Sequence, residues 1–109
     1  MNTAAGLTLF VLAVFLGFSV VGAQQPVIVD MREFSFEPRD TRITAGAAVR
    51  WINHDDVPHS IAMEGGRPGS SGLIAPGRDH MFSFREAGRF TYRCAIHPTM
   101  LGVVIVDSP

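Results

Sequence analysis

Apolar and polar residues alternate with a period of two over several short stretches of the chain, separated by clusters of Gly, Pro, Asn and Asp. Val27, Val29 and Met31 form the first such set; Phe34 and Phe36 continue it in a shifted phase, which predicts a bulge or bend near Arg32 and Glu33. Ile43 and Thr44 run into a turn at Ala45 and Gly46. Val49, Trp51 and Asn53 share the inner face of the next strand, and His59, Ile61 and Met63 share another. The glycine-rich stretch from Glu64 to Ser71 reads as a surface loop, and Ala75-Pro76-Gly77 as a turn before a strand containing Phe82 and Phe84. Phe90, Tyr92 and Cys94 then face inward between Arg89, Thr91 and Arg93. The last strand, Leu101 to Val106, is apolar in both phases and is expected to be buried on both faces. Short strands at these intervals predict an all-β sandwich.

The N-terminus breaks the pattern. An apolar run from Leu7 to Val21, closed by Val21-Gly22-Ala23, reads residues 1–23 as a signal peptide, leaving one domain over residues 24–109 that begins at Gln24. Met1 to Gly6 lacks the Lys or Arg of an ordinary signal, so retention as a membrane anchor of nearly spanning length stays open. Such a segment places the domain in the periplasm or otherwise outside the cytoplasm.

Export gives the lone cysteine its meaning. With no second cysteine there is no disulfide, and a free thiol in an oxidising compartment is a liability unless buried or bound to metal. Cys94 lies three residues before His97 and six before Met100, with His59 upstream behind a proline. A thiolate, two imidazoles and a thioether are the ligands of a mononuclear blue-copper electron-transfer site, two histidines and the cysteine in a plane with methionine as a weak axial ligand; zinc rarely recruits thioether. On a strand Cys94 and His97 would face opposite sides, and Pro98 opposes a helix, so only a tight loop brings the ligands together. Cys94 is therefore expected to end one strand, Ala95 to Thr99 to form the loop, and Leu101 to open the next strand.

These residues, with Phe34-Ser35-Phe36, Pro38, Gly46, Val49 to Asn53, Asp55, Pro58, Pro76-Gly77, Gly88 and Tyr92, resemble the cupredoxins, the small type 1 blue-copper proteins. The match runs over nearly all of residues 24–107, and the two-residue gap between His97 and Met100 is similar to that of the amicyanins. The resemblance implies a Greek-key β-sandwich with copper at one end, held by His59, Cys94, His97 and Met100. It also implies redox protein partners, such as a dehydrogenase or a c-type cytochrome, met by a monomer.

The remaining candidates are weaker. His54 reads as solvated in a polar turn, and His80 has no second ligand near it. Met63, an axial rival, is expected in the core, as are Met31 and Met81. Asn53 either bridges the loops carrying His59 and Cys94 or makes an Asx-turn. No His-x-His pair supplies further copper, so a catalytic copper enzyme is not expected, and four ligands leave no open position for substrate. An immunoglobulin-like interaction module, suggested by Tyr92 two residues before Cys94, leaves His97 and Met100 unexplained. A copper chaperone or storage protein would use the same ligands but exchange metal readily. Nine arginines, no lysine and ten carboxylates give little steering, and the scattered arginines do not favour nucleic acid.

Overall fold

A computed structural model of the chain describes Gly6 and residues 24–109. The expected signal segment, residues 1–23, otherwise lies outside the described residues. The period-two stretches become eight strands among the described residues: β1 (Val27–Arg32), β2 (Ser35–Glu37), β3 (Asp40–Thr44), β4 (Ala48–Asn53), β5 (Ala62–Met63), β6 (Asp79–Ser83), β7 (Gly88–Arg93) and β8 (Leu101–Asp107). A 3-10 turn at Glu64–Gly66 interrupts the loop after β5.

The strands form two four-stranded sheets, ordered β2-β1-β4-β6 and β3-β8-β7-β5. The pairs β1/β4 and β3/β8 are parallel and the others antiparallel. The chain crosses between sheets after β2, β3, β4, β5 and β6, which makes the expected Greek-key sandwich. Between the sheets lie Val29, Met31, Val49 and Trp51 from one side and Ile43, Phe90, Tyr92 and Val104 from the other. Trp51 meets Tyr92 edge-on at 5.5 Å, and Tyr92 meets Phe36 at 4.7 Å, so three aromatic rings interlock at the centre.

Three expectations need correction. The phase change after Met31 is not a bulge: the chain reverses, β1 pairs antiparallel with β2, and Glu33 and Phe34 form the turn with φ of 51° and 56°. Two successive left-handed residues match the twist of the flanking strands, and they put Phe34 outside, 51% exposed, while Phe36 returns to the core. Met81 is likewise exposed, because it lies between inward-leaning His80 and Phe82 on the edge strand β6. In β8, Gly102, Val103, Val104 and Val106 are buried, but Leu101 is exposed where the strand leaves the sandwich.

Candidate metal centre

Two connections meet at one end of the sandwich, His54 to Ile61 between β4 and β5 and Cys94 to Met100 between β7 and β8. His59 is pinned by its backbone: it makes a two-way bridge with Ile74, with N–H···O distances of 3.1 and 2.7 Å. The alternation of β7 carries Phe90 and Tyr92 inward and sets Cys94 on the same face, just past the strand end. The loop then closes on itself, because Met100 donates its N–H to the His97 carbonyl at 2.9 Å and Cys94 donates to the Met100 carbonyl at 3.1 Å.

The closure converges three ligand atoms. Nδ1 of His59 lies 3.2 Å from Nδ1 of His97, and Cys94 Sγ lies 3.9 and 3.7 Å from them respectively. A point equidistant from all three is about 2.1 Å from each, within the roughly 2.0–2.3 Å that a first-row divalent ion keeps to imidazole and thiolate. The residues present therefore fit a single metal ion. His59 and Cys94 are fully buried and His97 is half-buried, with Met100 also buried in the hydrophobic cluster that contains Cys94. Met63 belongs to that core too, its methyl filling the space above Gly69. His54 pairs with Asp30 at the surface, and His80 stacks on Trp51 while its Nε2 reaches the Gly69 carbonyl at 2.9 Å; neither joins the cluster.

Local dipoles favour the thiolate. Burial pushes the Cys94 thiol upward, but the amides of Ser60, His97 and Ile96 and the His97 ring outweigh it and bring the value down to about 6. Ser60 also ties the two connections together, since its amide points at Cys94 Sγ at 3.4 Å and its hydroxyl accepts the Ala95 N–H at 3.0 Å. Of the two expectations for Asn53, the Asx-turn is the one observed: Asn53 accepts the Asp55 N–H and donates to the carbonyls of Val57 and Ile74, bracing the His59 segment from behind.

Asp55 is the residue the sequence did not single out for the site. Its Oδ2 lies 2.7 Å from His59 Nε2, and its carboxylate also accepts the backbone N–H groups of Glu33 and Phe34 at 2.7 and 3.0 Å. Burial raises this carboxyl, but the Phe34 amide, the His59 ring and the Glu33 amide hold it below the usual carboxylate range. Its sequence signals were its place four residues before His59 in a polar turn and its membership of the set that carries the cupredoxin resemblance, neither of which assigned it a task. Above the site, the Phe34 ring stands edge-on to both imidazoles, with centroids 5.5 Å from His59 and 5.0 Å from His97.

A family model described as copper binding proteins, plastocyanin/azurin family, matches residues 23–107. Amicyanin of Paracoccus denitrificans is 30% identical over 89 residues, covering 78% of this chain and 68% of the relative. A mutant amicyanin solved in its Cu(I) form superposes with a TM-score of 0.73 at 28% identity, covering 79% of this chain and 86% of that one. The copper-containing nitrite reductase of Thermus scotoductus SA-01 gives 0.72 at 28% identity, but the alignment covers 78% of this chain and only 23% of the enzyme.

Proposed function

The chain belongs to the plastocyanin/azurin family of copper binding proteins, and from that premise we propose that it is a blue-copper electron carrier working outside the cytoplasm. In this reading His59, Cys94, His97 and Met100 would hold the copper. The observation that carries it is the triangle of two imidazole nitrogens and one buried sulfur, beside a buried methionine. Copper, when bound, supplies a one-electron couple. The chain's own part is to keep Cys94 as thiolate, to aim both Nδ1 atoms at one point, and to keep water from the sulfur.

The two imidazoles differ in access, and this supports a direction for the electron. His59 is closed in, whereas His97 is half-buried, with the exposed Phe34 ring against it, exposed Ile96 and Pro98 on either side of it in the chain, and exposed Pro58 next to His59. Those apolar groups suit brief docking of redox proteins, a dehydrogenase or a c-type cytochrome, on a small interface. We read the protein as a monomer delivered by residues 1–23.

A chaperone or storage role is less well supported, because ready metal exchange needs accessible ligands and His59, Cys94 and Met100 are buried. An enzyme is also less well supported, since four protein ligands would leave no open position for substrate. The likeness to nitrite reductase concerns under a quarter of that enzyme. The test is an optical spectrum of the protein loaded with Cu(II). An intense red absorption is expected, to be lost in Cys94→Ser while far-ultraviolet circular dichroism keeps its β signature. A colourless Cu(II) protein would overturn the reading.

A further inference from the structure

A carboxylate has only acceptors, so the 2.7 Å contact from Asp55 Oδ2 to His59 Nε2 puts the proton on Nε2. The lone pair is then on Nδ1, the atom that faces Cys94 and His97. The same carboxylate takes the N–H groups of Glu33 and Phe34, at the two left-handed positions of the β1–β2 turn. Bulky Phe rarely adopts that conformation, so the turn needs outside fixing, and Asp55 supplies two hydrogen bonds. The turn in turn lays the Phe34 ring against both imidazoles. Asp55 is itself held: its own N–H goes to Asn53 Oδ1, and Asn53 is fully buried.

We propose that Asp55 is a positioning residue for the metal centre, one carboxylate that fixes the metal-facing tautomer of His59 and at the same time locks the turn that places Phe34 over the two histidines. The proposal rests on the copper reading for its consequences but not for its geometry. Copper affinity and the order of the Glu33–Phe34 turn are then linked through one side chain. Loosening either end loosens the other. An anionic partner on an imidazole also raises its basicity and favours the more highly charged ion, so Asp55 holds the reduction potential down.

The experiment compares Asp55→Ala with wild type and with Phe34→Leu, which keeps the backbone donors of the turn. In the copper-free wild type, nitrogen NMR at a pH where the ring is neutral should find His59 as the Nε2–H tautomer. Asp55→Ala should mix the tautomers, speed amide exchange at Glu33 and Phe34, and weaken Cu(II) binding by about 10–100-fold, the usual effect of losing such a partner. Cu(I) binding should weaken less, raising the potential by about 59 mV for each tenfold difference between the two. Phe34→Leu, which leaves the Asp55–His59 contact and the backbone donors of the turn in place, should keep the pure Nε2–H tautomer of His59, so the tautomer separates loss of Asp55 from loss of the Phe34 ring. If Asp55→Ala keeps a pure Nε2–H tautomer with unaltered affinity and potential, Asp55 is a brace for the turn alone and the proposal fails. Should that variant not fold, the wild-type tautomer decides, and an Nδ1–H ring would overturn it. A copper-loaded wild type without red absorption would sink the electron-carrier reading instead, leaving the tautomer result standing.

Discussion

Gly102→Ala probes how tightly the strand that delivers Cys94 is held. Gly102 stands opposite Tyr92 in the β7/β8 register, and a Cβ added there would run into Cζ, the hydroxyl and Cε2 of the Tyr92 ring. These atoms belong to a rigid ring, not the end of a flexible chain. Nor can the ring swing away, since Tyr92 is fully buried and wedged edge-on between Phe36 and Trp51. Relief requires the strands to part or the ring to leave its rotamer. Overpacking costs about 1–3 kcal/mol and an off-rotamer side chain about 0.5–1.5 kcal/mol, so a loss of about 3 kcal/mol is expected. At about 4–8 °C per kcal/mol for a domain of this size, the melting temperature should fall by roughly 12–24 °C. Thermal and urea unfolding of the copper-free protein read this directly. In a double-mutant cycle with Tyr92→Leu the two losses should be less than additive by about 1–2 kcal/mol, because the smaller side chain vacates the space that the added methyl needs. A loss below about 0.5 kcal/mol, the size of an ordinary surface change, would refute the reasoning.

If Met100 is a ligand as proposed, Met100→Ala should retain copper on His59, Cys94 and His97 while shifting the reduction potential, as voltammetry will show; an unchanged potential would take that role away from Met100. In the copper-free protein the Cys94 thiol ionises near 6, below the ordinary thiol value. A lowered folded-state pKa contributes stability that is fully present above the unfolded-state value of about 8.5 and is lost as pH falls through the folded one. The urea midpoint of the copper-free protein should therefore rise between about pH 6 and 8.5 by an amount missing from Cys94→Ser, and parallel curves for the two proteins would refute it. Mass spectrometry of protein recovered from its host should find an N-terminus at or near Gln24; an intact Met1 in the membrane fraction would make residues 1–23 an anchor.

Much of this molecule was legible because a half-buried strand writes its burial into every second residue. Val49, Trp51 and Asn53, and likewise Phe90, Tyr92 and Cys94, are buried as their phase requires, and the strand expected to end on Cys94 ends one residue earlier, at Arg93. The loop itself was readable from the odd offset between Cys94 and His97 and from Pro98. Phase alone could not tell a bulge from a reversal at Glu33 and Phe34, because both shift the register by the same step. Met81 failed for a related reason: on an edge strand one face is open, and an apolar residue there says nothing about burial. Ser60 was invisible as a site residue because its contacts reach across 34 and 35 positions, to Cys94 and Ala95; Asp55 sits only four residues before His59, but its contacts with the β1–β2 turn reach across 21 and 22 positions, so its double task could not be read.

Those long-range contacts explain why the sandwich suits its proposed task. A carrier exchanges electrons fast when its ligands scarcely move between oxidation states, so their positions must be set by the protein and not by the metal. Here each position is fixed by bonds that do not involve copper. The Ile74 bridge and Asp55 hold His59, the Ser60 amide and the end of β7 hold Cys94, and the Met100 N–H holds the carbonyl of His97. The frame behind them is the interlocked Phe36, Tyr92 and Trp51 rings. Damage to that frame, as in Gly102→Ala, should therefore cost stability first, whereas a change at Met100 should act first on the potential. Separate control of the two is what allows one scaffold to be tuned at its ligands without being unfolded.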